Sequence, residues 1–292
     1  MIGIIGGTGL GAALSASQKG DAIELDTPFG RPSGPFLRAK WENADVVFLN
    51  RHGDGHLLNP SAVPYRANLF ALKMLGVDTV IASGATGSLR DEIEPGHLVV
   101  CDQVIDKTFR RPGTFFDEGL VAHVEFAEPF CPALRRVILS VADSVSTTVH
   151  PRGTYVCMEG PQFSTQAESH MHRGWGGDLI GMTCMPEAKL AREAEMAYAL
   201  IALPTDYDCW RPHEGGDRQK LLEEILGNLK RATDNAITLI RATVAKLARE
   251  PVADCDAWHA LELGIWSDRN KVNPDVVKRL APLLGRQFLQ AR

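Results

Sequence analysis

Asp206 and Asp208 stand two residues apart at the end of an apolar run, Ile201-Ala202-Leu203-Pro204-Thr205-Asp206-Tyr207-Asp208-Cys209-Trp210. In an extended segment that spacing points both carboxylates to one side. Ligands of open α/β sheets bind at the carboxyl ends of strands, so the pair is placed to meet one. Two solvated turn aspartates would give the same pattern. The flanking Tyr207 and Trp210 argue instead for a partly covered pocket. Paired carboxylates under such cover can hold a proton near neutrality and pass it to a leaving group.

Three further stretches carry anion-binding chemistry. Ile2-Gly3-Ile4-Ile5 opens into Gly6-Gly7-Thr8-Gly9-Leu10-Gly11-Ala12. Glycines let backbone N–H groups approach an anion, and Thr8 adds a hydroxyl. The same run fits the dinucleotide fingerprint, with Glu24 and Asp26 near the spacing of a ribose-binding acid. An NAD-dependent or flavin-linked oxidoreductase is therefore one reading. The second stretch is a strand at 46–50 running into Arg51-His52-Gly53. Arg51 offers bidentate donors to a phosphate, and His52 a donor whose charge can vary. The third is a strand at 78–82 ending in Ser83-Gly84-Ala85-Thr86-Gly87-Ser88-Leu89-Arg90. Residues 62–76 lie between these two at helical spacing and stop at a glycine. Strand, helix and strand make a βαβ unit whose loops open at one sheet edge. Three anion loops on one edge build a phosphate site, and nothing later in the chain supports a dinucleotide.

The elements that must position these groups follow in order. Residues 97–102 read as a strand, and 107–132 as a long, aromatic, proline-punctuated excursion. Such loops inside compact domains are usually functional. His123 within it reads, on its own, as a structural histidine. Residues 132–144 are helical in pattern, 153–157 form a strand, and 158–168 a turn capping the next helix. On that helix His170 and His172 read as a surface pair, without a third ligand for a metal. A strand at 178–180 leads into Gly181-Met182-Thr183-Cys184, then a helix over 186–200 with proline at its start. Residues 217–250 form one long amphipathic helix. Beyond Pro251 come a short apolar segment (Trp258, Leu261, Leu263, Ile265, Trp266) and a basic helix over 276–289.

Composition excludes several classes. The 292 residues are 45% apolar and 23% charged, ordinary for a soluble globular chain. A net charge of −5 gives no support to a nucleic-acid-binding surface. No apolar run approaches the roughly 18 residues of a membrane span, and the start lacks the features of a secretory leader. Six cysteines without a Cys-x-x-Cys pair read as reduced, buried thiols of a cytoplasmic protein.

Together and in order, these motifs resemble the purine nucleoside phosphorylase family, in its methylthioadenosine-cleaving branch. The matching pieces are Gly6-Gly7-Thr8-Gly9-Leu10, Arg51-His52-Gly53, Gly87-Ser88-Leu89-Arg90, Ala127-Glu128-Pro129-Phe130-Cys131, Glu159-Gly160-Pro161, Met182-Thr183 and Thr205-Asp206-Tyr207-Asp208-Cys209-Trp210. The resemblance covers residues 1 to about 248. It implies a single α/β domain over 1–250, with a mixed, partly barrel-like central sheet flanked by helices, and a helical C-terminal extension over 251–292. It also implies a homotrimer.

By the same resemblance the reaction is phosphorolysis: inorganic phosphate, a co-substrate, displaces adenine from C1′ of a nucleoside. No metal and no organic cofactor is implied. Thr8, Arg51, His52, Thr183 and the backbone N–H of Ala85 become the phosphate cradle. Met182 underlies the ribose, and Phe163 and Ser164 line the base site. Asp206 faces N7 of the base and Asp208 its exocyclic amine, which makes them, with His52, the catalytic candidates. His123 reaches a neighbouring subunit's site, displacing its structural reading. The chain departs from the branch at Gly84 (usually Thr), Gly181 (usually Asn) and Gln162 (usually Arg). Residues 214–219 are shorter and more polar than the usual cover of the 5′-methylthio group. That change leaves adenosine, or a broader range of purine nucleosides, as the alternative substrates.

Overall fold

A computed structural model describes residues 1–10, 20–211, 218–253 and 255–288. Eleven strands form one mixed sheet: β1 (Ile2–Gly6), β2 (Asp21–Ile23), β3 (Phe36–Trp41), β4 (Ala44–Asn50), β5 (Thr79–Ser88), β6 (Leu98–Val100), β7 (Gln103–Asp106), β8 (Val149–His150), β9 (Thr154–Cys157), β10 (Leu179–Gly181) and β11 (Ala197–Asp206). Its order runs β2-β3-β4-β1-β5-β10-β9-β7, and β11 branches off β5 to pair with β6, which pairs with β8. The described helices are α1 (Tyr65–Met74), α2 (Pro132–Leu139), α3 (Gln166–Gly174), α4 (Cys184–Glu193), α5 (Arg218–Arg249), α6 (Pro274–Arg279) and α7 (Ala281–Phe288).

The branch at β5 is what makes room for a site. The first half of β5 lies parallel to β1, with Ile4 beside Ile81, and its second half meets β10 antiparallel, with Ile180 beside Gly87. β11 follows β5 in parallel for nearly its whole length, with a register shift at Pro204–Asp206. The glycine-rich stretch 83–88, expected as a loop, is therefore strand. Pairing with β11 supplies the hydrogen bonds that a loop of glycines would have to find in water.

β1, β5 and β11 are covered on both faces and read as continuous apolar runs. That is why the helix expected over 186–200 overruns. The helix ends at Glu193, a turn with Glu195 at φ 52° follows, and Ala197 already belongs to β11. Its start is as the proline predicts, because the backbone at Met185 is still non-helical. In α5 the buried Ala232, Ala236, Leu239, Ile240 and Val244 lie at helical spacing and pack on one face of the sheet. The basic helix expected over 276–289 is two short helices, α6 and α7, with Leu280 at the break.

The C-terminal segment docks onto the main core. Leu261, Val272, Leu280, Leu283 and Leu284 belong to the same apolar cluster as Leu69 and Phe70 of α1. Trp258 donates through Nε1 to the Asp78 carbonyl, 2.9 Å away. All six cysteines are free thiols, five of them buried and Cys209 partly so. No described helix is long and apolar enough to cross a membrane.

No helix or paired strand interrupts residues 107–131; the only pairing is an isolated bridge from Ala122 to Ile265. The excursion is instead tied down by side chains. Arg192 donates to the carbonyls of Glu125 and Glu128. Glu193 accepts from the Thr114 hydroxyl and the Phe115 amide, both at 2.7 Å. Burial pushes the Glu193 carboxyl up to about 7, against the pull of those two donors. Between its ordinary value and about 7 the unfolded chain ionises while the fold keeps the proton, so this contribution to stability is lost as pH rises through that window. Glu193→Gln is expected to flatten the loss and to be more stable than the parent at pH 8, by roughly 1–2 kcal/mol. Urea midpoints at pH 5 and pH 8 check this; a variant less stable at pH 8 contradicts it.

Candidate active site

One cavity of about 540 Å³ opens where the ends of β1, β4, β10 and β11 meet the middle of β5. Gly7, Thr8, Arg51, His52, Ala85, Met182, Thr183, Asp206, Asp208 and Phe163 all line it. Ser164 does not: its hydroxyl turns to the Met158 sulfur and its carbonyl accepts from Cys209. His123 is also absent; it is exposed and packs edge-on to Trp266 at 5.0 Å between ring centres.

At the deep end Arg51 is fully buried and forked onto Glu187, with Nε 2.7 Å from Oε2 and Nη2 2.8 Å from Oε1. Its Nη1 donates to the Ser83 carbonyl at 2.7 Å, and the Tyr198 hydroxyl donates to Glu187 at 2.8 Å. Burial opposes the guanidinium charge, but the Glu187 charge and hydrogen bonds outweigh it and hold the group above its ordinary value. Gly7 is required for this approach: a Cβ there would stand 2.9 Å from Arg51 Nη1 and 2.8 Å from the Ser83 carbonyl.

His52 corrects the sequence reading of a donor of variable charge. Its Nδ1 lies 2.8 Å from the Leu58 carbonyl, and its ring stacks on His56 at 4.2 Å. Burial and the Arg51 charge push the imidazole down to about 4, so near neutral pH it is uncharged. Thr8, Thr183 and the second half of β5 line the cavity beside them. At Gly84 a Cβ would meet only the Thr183 hydroxyl, at 3.4 Å, so a side chain there has room. At Gly181 it would not, because the Tyr155 hydroxyl already occupies that space, 1.9 Å from an added Cβ.

Asp206 and Asp208 meet at the other end of the cavity, though not through strand alternation. β11 stops at Asp206, Asp208 has φ 51°, and its amide donates to Asp206 Oδ1 at 2.8 Å. A turn, not an extended strand, brings the carboxylates together. Thr205 donates to Asp206 Oδ2 at 2.7 Å, and Ser169 to Asp208 Oδ2 at 2.5 Å. Tyr207 and Trp210, expected as cover, face away from the cavity. They pack on each other and under Arg211 and Arg173. The apolar lining comes from Met158, Ile180, Phe163 at the mouth, and Ile225 and Leu229 of α5. Of the polar stretch 214–219, residues 214–217 lie outside the described residues, and Gln219 is exposed.

Two residues passed over in the sequence organise this site. Glu187 is one; an acid one place after Pro186 reads as an ordinary helix start, and only its burial reveals it. Arg111 is the other, almost fully buried in the excursion. It donates to the carbonyls of Met182, Met185 and Glu159 and pairs with the Glu159 carboxylate. Glu159 in turn accepts from Ser61 and from the Phe109 amide. His172, expected on the surface, is buried and accepts from Lys107 at 2.8 Å behind the Asp208 turn.

The dinucleotide reading fails on topology. A ribose-binding acid belongs on the strand next to β1. Glu24 and Asp26 follow β2, which β3 and β4 separate from β1, and Asp26 pairs with Arg31 at the surface.

Residues 1–245 match the family model described as the phosphorylase superfamily. The chain belongs to that superfamily. An S-methyl-5′-thioadenosine phosphorylase of Thermosynechococcus vestitus is 46% identical over 289 residues, 98% of both chains. One from Synechocystis sp. is 46% identical over 98% of this chain and 87% of its own length. Among solved structures, a methylthioadenosine phosphorylase from an antarctic soil metagenomic library superposes with TM-score 0.88 at 44% identity, covering 97% of this chain and 98% of that one. The Schistosoma mansoni enzyme in complex with tubercidin gives 0.81 at 34% identity, over 90% of this chain and 96% of that one. The two relatives and the metagenomic structure cover 97–98% of the chain and so run through the C-terminal segment, where the motif resemblance stopped near residue 248.

The Arg51–Glu187 pair yields a stability prediction. Glu187→Ala strands a buried guanidinium and is expected to cost about 3–5 kcal/mol. Denaturant unfolding measures it; a loss below about 1 kcal/mol would mean the pair is solvated.

Proposed function

We propose that this protein is an S-methyl-5′-thioadenosine phosphorylase, converting the nucleoside and inorganic phosphate to adenine and 5-methylthioribose 1-phosphate. The observation that carries this is one cavity with Arg51, Thr8, Thr183 and the Ala85 backbone at one end, two carboxylates at the other, and apolar walls between. A phosphate oxygen held by Arg51, Thr8, Thr183 and the Ala85 amide attacks C1′. The bond to the base breaks, and charge gathers on the ribose and on adenine. Holding the nucleophile in line and stabilising the charged transition state are the protein's main contributions. Asp206 lies against N7 and passes its carboxyl proton there as the base leaves, so that adenine departs neutral. Asp208 accepts from the 6-amino group, which a carbonyl at that position cannot supply. Ile225 and Leu229 offer the apolar surface that a methylthio group buries.

Neither metal nor organic cofactor enters this mechanism. The working form is a trimer of this chain in the cytoplasm, and His123 completes a neighbouring pocket. The support is a cluster of exposed groups, His123 with Val121, Leu263 and Trp266, that one subunit alone leaves in water. Sedimentation in dilute solution is expected to show three copies or a multiple; a fully active monomer overturns this.

Release of free base is expected to require phosphate, to survive a chelator, and to be fastest with methylthioadenosine. Adenosine should follow at about 10- to 200-fold lower kcat/KM, the worth of one matched apolar contact, with inosine below it. Asp206→Asn should reduce adenine release by about 100-fold or more, the scale of positioned proton transfer. Base release without phosphate, or inosine as the preferred substrate, contradicts the assignment.

A further inference from the structure

β11 does not run straight to the end that carries its carboxylate. Pro204 lies opposite Thr86 and Asp206 opposite Gly87, so Thr205 is an extra residue with no opposite number on β5. Side chains alternate along a strand, and one inserted residue re-aims those beyond it. The insertion therefore sets the direction in which Asp206 leaves the strand. Thr205 is also bonded to that carboxyl, its hydroxyl 2.7 Å from Asp206 Oδ2.

Two donors from other segments hold this end of β11. The Gly96 amide meets the Pro204 carbonyl at 2.8 Å, and the Asn228 side-chain amide meets the Thr205 carbonyl at 2.9 Å. Asn228 belongs to α5, and its own side-chain oxygen accepts from Arg231 Nη2 at 2.5 Å. Arg231 can only donate and the Thr205 carbonyl can only accept, so the amide has a single orientation. None of residues 219–227 is buried, and Asn228, 5% exposed, is where α5 first sits on the sheet. Ile225, one turn earlier, and Leu229, the next residue, both form the cavity wall, while Asn228 points at β11. A helical turn moves as a unit, because each residue is bonded to the fourth before it. A push on Ile225 or Leu229 is thus carried by Asn228 to the Thr205 carbonyl, and by the Thr205 hydroxyl to Asp206.

We propose that Asn228 is a positioning residue that couples the apolar wall of the cavity to Asp206. A 5′ substituent packed on Ile225 and Leu229 seats this turn of α5, and the Asn228 amide, through Thr205, seats the Asp206 carboxyl against the departing base. Binding energy gained at the far end of the nucleoside then appears in the rate of bond breaking and not only in affinity. The inference rests on the phosphorolysis reading and adds to it a residue that touches neither nucleoside nor phosphate.

Single-turnover base release from methylthioadenosine and from adenosine, followed over nucleoside concentration at saturating phosphate, separates the rate of bond breaking from half-saturation. At saturation the parent protein is expected to cleave methylthioadenosine at least about tenfold faster than adenosine, within the worth of a matched apolar contact. Asn228→Ala and Asn228→Asp both remove the donor to Thr205, and the aspartate keeps the shape and a partner for Arg231. In each the rate advantage should fall to within about threefold, the margin expected of uncoupled sites. The ratio of half-saturation concentrations should move by less than about threefold, since Ile225 and Leu229 still meet the methylthio group. A residue that only holds the fold together would slow both nucleosides by the same factor. An equal loss for both, or a parent whose whole preference lies in half-saturation, overturns the proposal and leaves phosphorolysis standing. No base release by the parent overturns the reaction and the proposal together. If Asn228→Ala does not fold, Asn228→Asp and the parent decide.

Discussion

A guanidinium with no solvent contact needs its charge matched and its donors placed, and in this chain those demands shape the middle of the molecule. Arg51 leaves the end of β4, Glu187 enters from the start of α4, and the Ser83 carbonyl comes from β5. Tyr198 of β11 closes the set from below. Four elements far apart in sequence must arrive within hydrogen-bond distance, or a buried charge is left unpaired. The cavity is the space these elements leave above the pair. The same pairing offsets the guanidinium charge, so this end of the cavity carries little excess positive charge.

The sheet supplies the second constraint. β5 changes partners halfway along, from β1 to β10, while keeping β11 on its other side. A sheet that forks cannot stay flat, and the fork holds open a wedge whose walls are strand ends. Small residues line it because backbone must come close: Gly7 against Arg51, and Gly181 against the Tyr155 hydroxyl. The departure at Gly181 is thereby explained as an exchange of one side chain for another from the next strand.

Arg111 and Glu159 give the floor its rigidity. They bind the excursion to the segments carrying Met158 and Met182, so the loop that presents His123 outward also fastens Met182 inward. An arginine meeting three carbonyls in a buried setting is costly to misplace, since each carbonyl would lose its partner.

Local chemistry in the chain was enough to indicate the carboxylate pair, the long α5 helix and the family. Glycine, arginine, threonine and aspartate at those spacings have few other uses, and amphipathic periodicity needs only neighbours in sequence. It was also enough to place Thr8, Arg51, Met182, Thr183, Asp206 and Asp208 around one site. What depended on distant pairing was not legible. An alanine-rich run such as 197–200 suits a buried helix or a buried strand, and only its partner β5 decides. Glu187 and Arg111 look like surface charges until burial and their carbonyl and carboxylate partners are known. Tyr207 and Trp210 face away because a left-handed turn at Asp208 redirects the chain, which no alternation rule contains. The state of His52 was the least accessible, because it follows from one carbonyl six residues on and one guanidinium beside it, and both are fixed only by the tertiary fold.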